Sequence, residues 1–163
     1  MTRYEETVPA PRWLIGVVLV AAIGMLLALA LLYRSEEAVS VRVAMTVVLG
    51  LSAALMIWIA RVFANLQITV SDDVVSFGFG PIVKRLEPAE VVAALPERYP
   101  WVRYGGWGVR VSRGGYRAYS QAFRRESVRI DAADEHHYHV TSSRPAELAS
   151  AINELAQAGS SRA

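Results

Sequence analysis

The densest run of groups that can ligate a metal or move a proton is Asp131-Ala132-Ala133-Asp134-Glu135-His136-His137-Tyr138-His139. Residues two apart on a strand share a face, so His137 and His139 can offer two imidazoles to zinc or nickel. A third ligand would have to come from Asp131, Asp134 or a distant residue. The same spacing describes an exposed strand face after a polar turn, and that reading is favoured, so no metal and no other cofactor is expected. Other chemistry is scarce. There is no cysteine, which excludes thiol catalysis, disulfide scaffolds and the usual cysteine-containing zinc sites. The glycines fit neither G-x-x-x-x-G-K-[ST] nor G-x-G-x-x-G, and neither H-E-x-x-H nor G-x-S-x-G occurs. Carboxylates pair only as chain neighbours, at Glu5-Glu6, Glu36-Glu37, Asp72-Asp73 and Asp134-Glu135. Neighbours on a strand point to opposite faces, and such pairs in turns are solvated. The expectation is a protein that is not an enzyme.

Binding chemistry is better represented. The 28 residues from Arg98 to Arg125 contain seven arginines, seven aromatics and no acid. Arginine presents a planar fork of donors that suits phosphate, and Trp and Tyr favour the headgroup region of a bilayer. Arg103, Trp107, Arg110, Arg113, Arg117, Arg124 and Arg125 are therefore the candidate residues for anionic lipid or a partner protein. The competing reading puts several of the aromatics in a core and leaves the arginines as a solvated coat. Alternation places Arg113 and Arg117 off the core side. Arginine with aromatics also suits nucleic acid, but a net charge of +2 and the membrane segments argue against it. Gly105-Gly106-Trp107-Gly108 reads as a sharp corner or as a binding loop.

The elements that hold these residues begin with the membrane. Mean hydropathy is +0.28 over 163 residues, concentrated at one end. Trp13–Tyr33 and Val43–Ala60 are charge-free runs of 21 and 18 residues, and about 20 apolar residues in a helix cross a hydrocarbon core. Two spans, about 13–33 and 43–63, form a transmembrane hairpin over residues 13–64, with a tail at 1–12. The first run is too long for a signal-peptide core. The charge-free runs Trp13–Tyr33 and Val43–Ala60 hold no Asp, Glu, Lys, Arg or His, which argues against transport. Gly24-xxx-Ala28 and Gly50-xxx-Ala54 permit close helix approach within the hairpin or between copies, so a homo-oligomer stays open. Arg3 and Arg12 before the first span, and Arg61, Lys84 and Arg85 after the second, place both termini in the cytoplasm by the positive-inside rule.

Beyond residue 65 the period changes to two. Leu66/Ile68/Val70 and Val75/Phe77/Phe79 alternate as strands, followed by Ile82–Leu86, Val109–Ser112, Tyr116–Ser120, a strand through Val128 and Ile130, and one through Tyr138 and Val140. Glu87–Pro96 reads equally as a short helix or a broken strand. Leu148, Ile152 and Leu155 then recur at helical spacing over about 144–157. About seven strands and a closing helix over 65–158, with a tail at 159–163, predict a small mainly-β barrel.

Phe77-Gly78-Phe79-Gly80-Pro81, Gly106-Trp107-Gly108-Val109-Arg110, and Tyr138-His139-Val140-Thr141 before Arg144-Pro145-Ala146-Glu147-Leu148 carry a resemblance. The chain resembles an uncharacterised bacterial family of two-span membrane proteins with a C-terminal pleckstrin-homology-like (PH-like) domain. The family's T-x-x-P-x-x-L closing helix is here T-x-x-x-P, one residue longer. The resemblance implies a PH-like barrel closed by a helix, at the inner plasma membrane, and brings no activity. The expected function is a membrane-anchored, non-catalytic binding or scaffold module. Its surface would face anionic lipid headgroups or a membrane or cytoplasmic protein partner. The alternative is an accessory subunit of a larger membrane complex, with the hairpin making the specific contacts.

Overall fold

The computed structural model describes residues 2–34, 36 and 38–160; Glu37 of the second carboxylate pair and residues 161–163 of the expected tail lie outside them. The chain forms two compact units, Pro11–Val62 and the segments on either side of it.

The flanking segments build a β domain of two sheets. In the first, β1 (Thr2–Pro9), β2 (Asn65–Ser71), β3 (Val75–Phe79) and β4 (Ile82–Leu86) pair antiparallel in chain order. The residues expected to be an N-terminal tail are thus a strand, in register with β2 from Tyr4↔Val70 to Pro9↔Asn65. Tyr4, Glu6 and Val8 point inward and their neighbours outward. The glutamate at an inward position hides the alternation from a hydropathy reading. The whole apolar hairpin is therefore inserted in the turn of a β-hairpin. Ala10 N–H closes that turn on the Ala64 carbonyl oxygen at 2.7 Å.

The second sheet runs β5 (Val91–Arg98), β8 (Glu126–Ala132), β9 (His137–Thr141), β7 (Tyr116–Ser120), β6 (Gly108–Val111). Nine strands replace the expected seven, and no closed barrel forms among the described residues. The ladder is not antiparallel throughout, because β7 and β9 run parallel. The ambiguous stretch before Pro96 resolves into a single 3₁₀ turn at Pro88–Glu90 followed by β5. Proline is accepted within β5 because that strand lies at a sheet edge. Its exposed backbone is covered by Asn153, which accepts from Ala94 N–H at 2.8 Å and donates to Ala94 O at 2.9 Å.

The core lies between the sheets. Leu66, Ile68, Phe77 and Phe79 face Ile130, Tyr138 and Val140, and the Phe77 ring meets the Tyr119 and Tyr138 rings edge-on at 5.0 and 5.7 Å. Helix α4 (Pro145–Ser160) buries Leu148, Ile152 and Leu155 against β5 and β8. Gly78 is required by a close approach, since a Cβ there would lie 2.1 Å from the Ile82 carbonyl oxygen. Gly78→Ala is expected to destabilise the domain by about 3 kcal/mol or more, read as a fall in urea midpoint. An unchanged midpoint would mean that β4 yields without cost.

The second unit is a pair of helices, α1 (Arg12–Arg34) and α2 (Val39–Val62), with mean hydropathies of 2.9 and 2.3 over their most apolar windows. Both are long and apolar enough to cross a membrane. At 1.5 Å per residue each spans roughly 35 Å. Within the pair, Thr46 Oγ1 donates to the Arg42 carbonyl oxygen at 2.8 Å and lies 3.4 Å from the Tyr33 hydroxyl. A Cβ on Gly16, Gly24 or Gly50 would meet nothing within 4 Å. The glycines therefore do not serve close packing of α1 on α2.

Candidate functional site

The second sheet is covered on both faces. Tyr116, Ala118 and Ser120 of β7 share the face away from the core with His137, His139 and Thr141 of β9. The segment from Tyr99 through α3 (Trp101–Tyr104) folds over that face and buries Tyr99, Tyr104 and Ala118 in a small aromatic cluster. Tyr99 and Tyr104 stack at 5.5 Å, and the Tyr99 hydroxyl donates to the Gly106 carbonyl oxygen at 2.8 Å. Gly105 ends α3 at φ +64, its N–H bonded to the Trp101 carbonyl oxygen, so the glycine-rich run is first a helix stop.

His137 and His139 share that face, as the spacing predicts, and the Nδ1 of each meets a partner within the domain, while the buried His139 Nε2 makes no hydrogen bond. His137 Nδ1 lies 2.5 Å from Asp131 Oδ1, with its ring stacked on Tyr116 at 4.5 Å. His139 is fully buried, its Nδ1 2.8 Å from the Tyr104 hydroxyl and its Nε2 3.5 Å from Glu97 Oε2. Burial pushes the His139 pKa down against the opposing pull of Glu97. Among the described residues no group of three or more His, Cys, Asp or Glu is placed to hold a metal ion.

The stretch 98–125 divides between the two readings the sequence left open. Tyr99, Tyr104 and Tyr119 are buried, whereas Trp101 and Phe123 are exposed. Arg117 corrects its expectation, for it shares the inward face of β7 with Tyr119, is half-buried, and has its Nη2 3.2 Å from His136 Nε2. Arg103 lies 4.0 Å over the Tyr116 ring, Arg110 Nε donates to the Trp107 carbonyl oxygen at 2.9 Å, and Arg113 is exposed in the β6–β7 turn. These four do not converge. Trp107, Arg124 and Arg125 do, joined by Arg98, Trp101 and Phe123 around an open groove of about 730 Å³. The Trp107 and Phe123 rings are 4.1 Å apart. A neighbouring cleft of about 560 Å³ shares Arg98 and Arg125 and adds Glu97 and Glu126, so its lining carries both signs of charge.

The buried Gln121 fixes the place of the groove. Its N–H donates to Thr141 Oγ1 at 2.8 Å, and its side-chain amide reaches the carbonyl oxygens of Val8, Phe63 and Ala64 at 3.1, 3.4 and 3.2 Å. Those residues flank the points where the chain leaves the β domain for α1 and returns from α2. None of the seven arginines of 98–125 has a carboxylate within ion-pair distance among the described residues. Arg3, Arg129 and Arg144 are each paired, with Asp72, with Glu97 and Asp131, and with Glu147.

A second buried constellation has no counterpart in the sequence reading. The Glu6 carboxylate, in a residue 8% exposed, accepts from Tyr4 Oη (2.6 Å), Ser142 Oγ (2.5 Å) and Ser143 N–H (2.7 Å). It ties β1 to the turn that starts α4, where Arg144 also covers the Tyr4 ring at 4.9 Å. Burial alone would raise the Glu6 pKa, but the bonds from Ser142, Tyr4 and Ser143 outweigh it and hold the carboxyl below its ordinary value. Burial, reinforced by Glu6, pushes the Tyr4 hydroxyl up to about 12, so it stays a donor at neutral pH. The signal that identifies Glu6 is an acid in phase with Tyr4 and Val8.

Comparison with family models, with curated proteins and with solved structures finds no match to this chain.

Proposed function

We propose that the chain is a membrane-anchored, non-catalytic binding module. Its β domain, of PH-like type, rests its arginine and aromatic surface on the anionic headgroups of the membrane that holds its helices, the inner leaflet of a bacterial plasma membrane. One observation carries this reading: Arg98, Arg124 and Arg125, with no carboxylate within ion-pair distance among the described residues, line the groove beside Gln121, whose side chain bonds the β-domain residues that flank the helical segment. β1 and β2 are hydrogen-bonded neighbours, so both ends of that segment share one side of any bilayer it crosses. Near an anionic surface each cation contributes about 1 kcal/mol, and Arg98, Arg103, Arg124 and Arg125 are all exposed.

In nanodiscs of phosphatidylcholine with phosphatidylglycerol, modification of these four arginines by phenylglyoxal is expected to slow severalfold relative to phosphatidylcholine alone. High salt should restore the rate, and the exposed Arg85 should be modified equally in both. Equal rates for all five would remove headgroup docking. The accessory-subunit reading, in which the helical pair makes the specific contacts, would then take its place.

A further inference from the structure

Charge brings a surface to headgroups, but it does not explain the apolar groups presented beside it. Val102 is 90% exposed, Phe123 54% and Trp101 49%. Phe123 also sits at φ +62, a left-handed conformation that bulky L-residues rarely adopt. Its loop is held from behind, with Arg124 N–H on the Gln121 carbonyl oxygen at 3.3 Å and the Gln121 side chain on Val8, Phe63 and Ala64. The loop thus presents a half-exposed aromatic ring two residues from Gln121, which bonds the β-domain residues on either side of the helical segment.

We propose that Trp101, Val102 and Phe123 form an interfacial anchor that inserts into the headgroup–acyl boundary of the bilayer entered by the chain's own helices. Arg98, Arg124 and Arg125 then lie at the level of the phosphates. The inference rests on the headgroup-docking reading and adds penetration to it. The bilayer is the occupant favoured over a second copy or another protein for two reasons. α1 begins two residues after Ala10 and α2 ends immediately before Phe63, so the clamped edge is covalently confined near the membrane surface. The apolar tip is also flanked by arginines without carboxylate partners among the described residues, a composition suited to an anionic interface.

The chain has no cysteine, so Val102→Cys in the full-length protein gives a unique nitroxide site on an exposed side chain. In phosphatidylcholine–phosphatidylglycerol nanodiscs the label is expected to collide more with oxygen than with a water-soluble nickel chelate. A label at the exposed Ala133 should remain in water. Adding Phe123→Ser should move the label at 102 toward water, with the helix and strand bands of the circular dichroism unchanged because Phe123 lies in the turn between β7 and β8. A water-exposed label at 102 with the arginines still protected from phenylglyoxal would overturn insertion and leave headgroup docking standing. Water exposure together with unprotected arginines would overturn both. Nitroxide–nitroxide coupling between copies at 102, without oxygen preference, would assign the tip to a protein interface and overturn the anchor.

Discussion

A chain that starts at Phe63 is expected not to fold, while one in which Pro11–Val62 is replaced by a short Asn-Gly turn is expected to give a soluble, cooperatively unfolding β domain. The first lacks β1, and with it the fully buried Val8, the Tyr4 ring and the Glu6 carboxylate. Burying one such apolar side chain contributes about 1.5–3 kcal/mol. Loss of the β1–β2 ladder and of the Glu6 hydrogen bonds brings the total to about 5 kcal/mol or more, comparable with the whole stability of a small domain. The second chain keeps β1 and closes the hairpin where Ala10 N–H already reaches Ala64 O, a position suited to a tight turn. Urea unfolding followed by circular dichroism distinguishes the two. Equal cooperative transitions would show that β1 is dispensable.

Glu6→Ala in the full chain is expected to cost about 2–4 kcal/mol, because it strands the buried Ser142 hydroxyl and the Ser143 N–H. Glu6→Gln preserves the shape and is expected to cost about half of that. Acid dependence separates the role of the charge from that of the shape. The folded carboxyl titrates below its ordinary value of 4.5, so its stabilisation is present above pH 4.5 and disappears as pH falls through the depressed value. The difference in unfolding midpoint between the native chain and Glu6→Gln should therefore be constant near neutrality and shrink below pH 4.5. A difference that stays constant into acid would mean that the carboxylate is stabilised no better in the fold than in the unfolded chain.

Much of the architecture is local and therefore legible in the residues. Runs of apolar residues define both long helices because length and solvation cost act on each segment alone. β2, β3, β7 and β9 follow from alternation, and α4 from Leu148, Ile152 and Leu155, because the period of a buried stripe is set by backbone geometry. The acid-free content of 98–125 was legible as composition. Which of its arginines meet was not. Arg98, Arg124 and Arg125 lie on two sides of a groove joined through the Tyr99 N–H bond to the Arg125 carbonyl oxygen, and no spacing rule connects residues 98 and 125.

The same limit hid β1, since Tyr4 pairs with Val70 across the entire helical hairpin and its strand carries a buried acid. The value of Glu6 depends on Ser142 and Ser143, more than 130 residues away. The sequence left Phe123 undivided between core and surface with the other aromatics of 98–125, and it is exposed in a loop that Gln121 anchors to Val8, Phe63 and Ala64. The sequence by itself determined two membrane-length helices, a mainly-β remainder and an acid-free, arginine-rich stretch, because hydropathy, periodicity and charge belong to segments. Only the tertiary structure decided that the first strand joins the first sheet at its edge, which arginines line the groove, and which aromatics face outward, because those depend on hydrogen bonds and packing between segments far apart in the chain.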